Sequence, residues 1–134
     1  MGLYYRIWVD WITRLQKVPK SKDNWAFTSM LYMTICMTLN FIVIITIVEN
    51  FIGQQIYAIK IYFIGGLIDD ILNLFIFFVL PCICVNYSLI FHNKRYLKLI
   101  DKYPPYNGKL AAAYLLFSVG IPMLIGLYAI IKNW

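Results

Sequence analysis

Few side chains in this 134-residue chain have the types and spacing that chemistry requires, and most of those that do lie inside or beside long apolar runs. Asp69 and Asp70 are adjacent, Asn73 follows four positions after the first, and Glu49 stands at the far side of the stretch 49–70. Acids at a membrane boundary can face water and so avoid the cost of a charge at the bilayer centre. Alternatively, Glu49, Asp69 and Asp70 line an outward vestibule that concentrates cations. A vestibule requires an oligomer or partner, because three helices do not wall a pore. Cys36, Cys82 and Cys84 all fall within apolar runs and none has C-x-x-C spacing, so no metal site is expected. Buried cysteines of this kind behave as small hydrophobes. His92 is the only histidine, which leaves no Cys–His pair or Ser–His–Asp set to complete. The basic stretch that follows it, with Lys94, Arg95 and Lys98, is suited to contact with lipid phosphate. No catalytic residue, cofactor or metal ligand is expected, and the chain reads as a non-enzyme.

The elements that must carry these residues are legible from composition. Hydrophobic residues make up 62% of the chain and charged residues 13%, far from the balance of a soluble domain. Mean hydropathy is +0.71. Charge-free runs at 26–48, 71–91 and 110–131 have 23, 21 and 22 residues; as helices each measures roughly 31–35 Å, enough for a hydrocarbon core of about 30 Å. The fold class is therefore an all-α integral membrane protein of one domain with three transmembrane helices. Arg6, Arg14, Lys17, Lys20 and Lys22 precede the first run, and Lys94, Arg95, Lys98, Lys102 and Lys109 lie between the second and third. By the positive-inside rule that side is cytoplasmic, which puts the N-terminus in and the C-terminus out. Trp25 and Trp134, with Tyr57 and Tyr62, stand at the expected interfaces. Topology and anionic lipid account for the basic excess of +6 without nucleic acid. No cleavable signal peptide is expected, since the first 25 residues carry Asp10 and Asp23 and have no continuous apolar core.

Within residues 1–18, Tyr4, Ile7, Trp8, Trp11, Leu15 and Val18 share one helical face, and Arg6, Asp10, Thr13, Arg14 and Lys17 the other. The spacing predicts an amphipathic helix, stopped by Pro19, lying in the cytoplasmic interface or docked on a partner. Arg6, Asp10 and Arg14 have the i, i+4 spacing for mutual pairing. The outer loop 49–70 is expected to bend at Gly65–Gly66. In the cytoplasmic loop 92–109 a second amphipathic helix is expected to continue from the second run through Tyr103, ended by Pro104–Pro105 and turned by Asn107–Gly108. Pro81 and Pro122 are expected to kink their helices. Ser29, Met33, Cys36 and Asn40 form one polar and polarizable face of the first span. Ser118, Pro122 and Gly126 form a small-residue ridge on the third.

The run Asp69-Asp70-Ile71-Leu72-Asn73 resembles the first half of the aspartate-rich, magnesium-diphosphate motif of membrane prenyltransferases. Such enzymes need a second acidic cluster and many more helices than this chain supplies. The stretch Ser88-Leu89-Ile90-Phe91-His92-Asn93-Lys94-Arg95-Tyr96-Leu97-Lys98, with the high Ile, Asn, Lys, Phe and Tyr usage, resembles small inner-membrane proteins of Bacteroidota. That resemblance implies a bacterial inner-membrane address and no activity. The expected function is a small accessory or assembly subunit of a larger inner-membrane complex, such as a translocon, secretion or energy-transducing machine. A homo-oligomeric channel or carrier using the outer acids is one alternative, and an immunity protein against a membrane-active toxin is another. Expected partners are membrane lipids and an integral membrane protein or further copies of the chain; neither nucleic acid nor a soluble small-molecule substrate is expected.

Overall fold

The structure is a computed structural model and describes residues 2–53 and 65–132. Among these residues every regular element is helical: α1 (Gly2–Lys17), α2 (Trp25–Ile52), α3 (Leu67–Leu74), α4 (Leu80–Asn86), α5 (Arg95–Lys102) and α6 (Lys109–Lys132). Three stretches, Trp25–Ile52, Leu67–Lys102 and Lys109–Lys132, contain helix long and apolar enough to cross a membrane. The 28 residues of α2 span about 42 Å. α2 ends where Gly53 turns left-handed (φ +70°) and its N–H returns to the Glu49 carbonyl, the usual glycine stop.

The second membrane-length stretch, Leu67–Lys102, is built in pieces. Gly65 (φ +100°) and Gly66 (φ +70°) set the chain into α3, so the expected bend falls at the start of the helix. α3 runs into a π-turn at Phe75–Val79, where the Leu80 N–H reaches back to the Phe75 carbonyl. The wide turn lies immediately before Pro81, whose missing N–H would break regular α-helical bonding there. A second π-turn, Tyr87–Phe91, closes the crossing. The apolar outer-surface segment expected before this crossing lies outside the described residues, as do Tyr57, Tyr62 and Trp134.

One sequence expectation is revised beyond this point. The helix of the second crossing does not continue into 92–103. Asn93 and Lys94 both take left-handed backbone (φ 53°), the chain folds back, and α5 starts afresh at Arg95. Asparagine tolerates this conformation better than most residues, and periodicity of apolar residues carries no signal for it. α6 contains Pro122 within one continuous helix of 24 residues, which leaves the bend expected there untouched.

The core gathers at the end of the bundle that carries the basic residues. Ile7, Trp8, Ile12, Met33, Ile90 and Ala111 form its centre. The face of α1 assigned to the membrane interface is covered by the chain itself. Trp8 has no exposed surface and meets Phe91 edge to face at 5.7 Å, while Trp11 stacks on Tyr32 at 4.3 Å. Trp25 packs on Phe91 and Tyr96, which pins the start of α5 to the start of α2.

Asp10 does not pair with Arg6 and Arg14 as its spacing suggests. It is fully buried. Its Oδ1 accepts the N–H groups of Tyr106 (2.6 Å) and Gly108 (2.9 Å), and its Oδ2 those of Leu110 (2.8 Å) and Ala111 (3.4 Å). α6 begins at Lys109, so Leu110 and Ala111 are its second and third residues, whose N–H groups have no partner within the helix. The loop before α6 places Gly108 at the cap position, with no side chain to accept them, and Asp10 does so from α1. The Lys109 and Ala112 N–H groups return to Tyr106 and Gly108, which completes the set. Arg14, one turn along α1, donates to Asn107 Oδ1 at 2.9 Å, and Arg6 lies over the Tyr103 ring at 5.6 Å. The expected turn is present, with Asn107 (φ 57°) and Gly108 (φ 82°) both left-handed. A Cβ on Gly108 would come within 3.2 Å of Arg14 Cγ.

Asp10→Ala is expected to cost about 3 kcal/mol or more, because buried backbone donors lose their acceptor. Asp10→Asn, which keeps one acceptor oxygen, is expected to cost less. Thermal unfolding of both variants in detergent, followed by circular dichroism, checks the order; equal stability of all three proteins contradicts it.

Candidate functional site

No described residues form a cluster of three or more His, Cys, Asp or Glu able to hold a metal. The groups with functional potential lie instead in a polar seam between the crossing helices and in the surfaces around it. The helical period places Ser29, Met33, Cys36 and Asn40 on one face of α2; the first three are fully buried and Asn40 is half-buried. Facing Asn40 on α6 are Tyr114 and Ser118. The Asn40 amide donates to Tyr114 Oη at 3.1 Å and to Ser118 Oγ at 3.0 Å. The seam face of the first crossing and the top of the small-residue ridge of the third thus meet. The rest of the ridge does not take part: Pro122 is half-buried, Gly126 is exposed, and a Cβ added at Gly126 would touch nothing.

A second polar group lies nearer the basic end. Tyr4 donates to Asn86 Oδ1, and the Asn86 amide donates to Thr34 Oγ1 at 3.3 Å. Tyr32 donates to the Ala111 carbonyl at 2.6 Å. Burial pushes the Tyr4 phenol well above its ordinary range, which keeps it a hydrogen-bond donor. Tyr4 and Tyr114 meet edge to face at 6.4 Å, joining the two polar groups around α1. Sequence reasoning placed Tyr4 at the membrane interface and gave Asn86 no role. An isolated Asn in an apolar run, like Asn40, was the available signal for Asn86.

The remaining sequence candidates are dispersed. Cys36 and Cys82 are buried and Cys84 is exposed, all as free thiols. At the end opposite the basic residues, Asp69 is buried and accepts the Gly65 N–H at 3.0 Å through Oδ2, a link within the turn that starts α3. Asp70 is exposed and Glu49 is half-exposed. The Asn73 amide, which the aspartate-rich motif would direct to a metal, donates to the Asp69 carbonyl at 2.7 Å. Lys94, Arg95 and Lys98 are all exposed.

One further feature has no sequence signature. α2 and the α3–α4 stretch enclose an apolar groove of about 520 Å³. Met30, Thr34, Thr38 and Leu39 line one side, Leu74 and Val79 the other. The π-turn at Phe75–Val79 forms part of this wall, and Thr34 and Thr38 are the polar residues in an otherwise apolar lining. Periodicity predicts which residues lie on a face but not whether the facing helices fill the space between them.

Comparison with protein-family models, with curated proteins and with solved structures gives no match.

Asn40→Leu is expected to destabilise the bundle by about 0.6–1.7 kcal/mol, the range for interhelical polar contacts in membranes. Ser118→Leu is expected to cost more, because Ser118 has no exposed surface and a larger side chain must push α2 and α6 apart. Unfolding midpoints in mixed micelles test the ranking, and a Ser118→Leu protein as stable as the parent contradicts it.

Proposed function

We propose that the protein is a small accessory or assembly subunit of a larger inner-membrane complex, seated with the basic end in the cytoplasm and its C-terminus on the periplasmic side. The observation that carries this reading is the groove between α2 and α3–α4. Protein interiors pack to the density of organic crystals, and two neighbouring helices that leave about 520 Å³ between them have not filled their own interface. Apart from Thr34 and Thr38 the groove is lined by apolar side chains, so it suits an apolar occupant. A transmembrane helix of a partner subunit, entering with aliphatic side chains, matches that demand. The exposed outer half of α6, with Leu124, Leu127 and Ile131 uncovered, offers further contact area along the same bilayer. The orientation follows from the basic residues. Arg6, Arg14, Lys17, Lys20, Lys22 and the five cations from Lys94 to Lys109 all lie at one end, and cytoplasmic loops hold such an excess.

Two measurements address the reading. A photo-crosslinking residue at Leu39 or Val79, activated in native membranes, is expected to give one discrete adduct with another membrane protein that also co-purifies in stoichiometric amount. The same residue at Phe117, on the exposed face of α6, is expected not to. Adducts only to lipid, or only to a second copy of the chain, overturn the accessory role. A periplasm-specific reporter joined after Trp134 is expected to be active; a silent fusion that is made in full reverses the orientation.

A further inference from the structure

At the basic end, a cleft of about 300 Å³ is lined by Tyr5 from α1, Leu89 from the last turn of the second crossing, and Arg95, Lys98 and Leu99 from α5. The reversal at Asn93 and Lys94 creates it. By folding α5 back, the reversal brings Leu89 and Leu99, ten positions apart in sequence, to the same cleft. Arg95 and Lys98 stand three positions apart and therefore share a helix face, and both line the cleft. None of the five lining residues is acidic. Asp10, the acid on α1, is buried and fully committed to the backbone of the α5–α6 loop. Two like charges this close repel each other weakly, and an anion between them removes the repulsion. Arg95 donates to the Ser88 carbonyl at 3.2 Å; a guanidinium has five donors, and this bond orients the group while using one.

We propose that this cleft binds an anionic phospholipid, its phosphate held by Arg95 and Lys98 and its glycerol and first acyl carbons laid against Leu89 and Leu99. The position of Leu89 sets the depth. It belongs to the final turn of an apolar crossing, so the cleft straddles the level where hydrocarbon gives way to headgroups. Cation and apolar wall lie in the order that a phospholipid presents them. A soluble phosphate would gain nothing from the two leucines. The inference is independent of the accessory role, because it concerns α1 and α5 and not the groove between α2 and α3–α4.

The test uses the full chain in detergent, titrated with dioleoylphosphatidylglycerol or dioleoylphosphatidylcholine and read by native mass spectrometry. The phosphatidylglycerol adduct is expected to be about thirtyfold tighter than the phosphatidylcholine adduct, from roughly a kcal/mol for each of the two basic side chains near the headgroup. The preference is expected to vanish in Arg95→Gln/Lys98→Gln and to persist in Lys20→Gln/Lys22→Gln, which removes the same charge from the same end. Leu99→Gln is expected to weaken the adduct while leaving the far-ultraviolet spectrum unchanged. Equal binding of the two lipids, or equal loss in both double variants, overturns the proposal. Displacement of the lipid by glycerol phosphate at millimolar concentration does so as well, since it would assign the cations to a soluble anion.

Discussion

The carboxylate of Asp10 accepts backbone N–H groups from the loop before α6 and from the first turn of α6 itself, across about a hundred positions of sequence. A buried charge is costly unless hydrogen bonds replace its water, and here both oxygens are fully supplied. The N-terminus of α6 contributes in a second way, since the helix dipole places partial positive charge where the carboxylate lies. The satisfied charge also fixes geometry. Because the oxygens must meet Leu110 and Ala111, α1 has to cross the start of α6 at this point and in this rotation. That rotation directs Ile7, Trp8 and Ile12 into the space between α2 and α6, and the core of the basic end follows from it. Arg14 reinforces the arrangement from one turn away by holding Asn107, and Gly108 is kept small by the Arg14 side chain that lies against it.

Much of this was open to reading in the sequence, and the parts that were not share a cause. The crossing helices, the bend at Gly65–Gly66 and the turn at Asn107–Gly108 follow from local chemistry: apolar length, paired glycines, and residues that tolerate left-handed backbone. The seam on α2 follows from the period of 3.6, and an Asn within it required a partner. The destination of Asp10 follows from none of these. Its i, i+4 neighbours are both Arg, which makes a ladder of ion pairs the local expectation. Only an accounting of the α6 N-terminus points elsewhere, because the loop 104–108 has no Ser, Thr or Asp at the cap and some acceptor had to come from outside. α1 presents the same problem. Its amphipathic pattern shows that one face avoids water, but lipid, partner and self satisfy that requirement equally. Trp8 chose Phe91, and only the three-dimensional arrangement could show it.

Polar groups inside the bundle are arranged by depth. Near the basic end Tyr4, Asn86 and Thr34 link α1, α4 and α2; farther along, Asn40, Tyr114 and Ser118 link α2 and α6. In hydrocarbon a pair of helices gains little from burying apolar side chains against one another, since lipid tails are as apolar as leucine. Hydrogen bonds and close packing then specify which helices pair and in what register. Each crossing helix has at least one such contact, and all lie on the basic side of Ser118. Beyond that level α6 carries Gly120, Pro122 and Gly126, and a Cβ added at Gly120 or Gly126 would touch nothing.

The bundle is therefore unequal along its axis, and the inequality separates two kinds of surface. At the basic end the aromatic residues interlock, the buried Asp10 carboxylate is fully hydrogen-bonded, and what the chain leaves outward is cationic with a narrow apolar cleft. Farther along, α2 and α4 share the Asn86–Thr34 hydrogen bond and still leave a groove beside it. Pro81 follows the π-turn at Phe75–Val79 by two positions and has no N–H to donate to an α- or a π-type turn, so the carbonyls of the preceding turn are one donor short in either geometry.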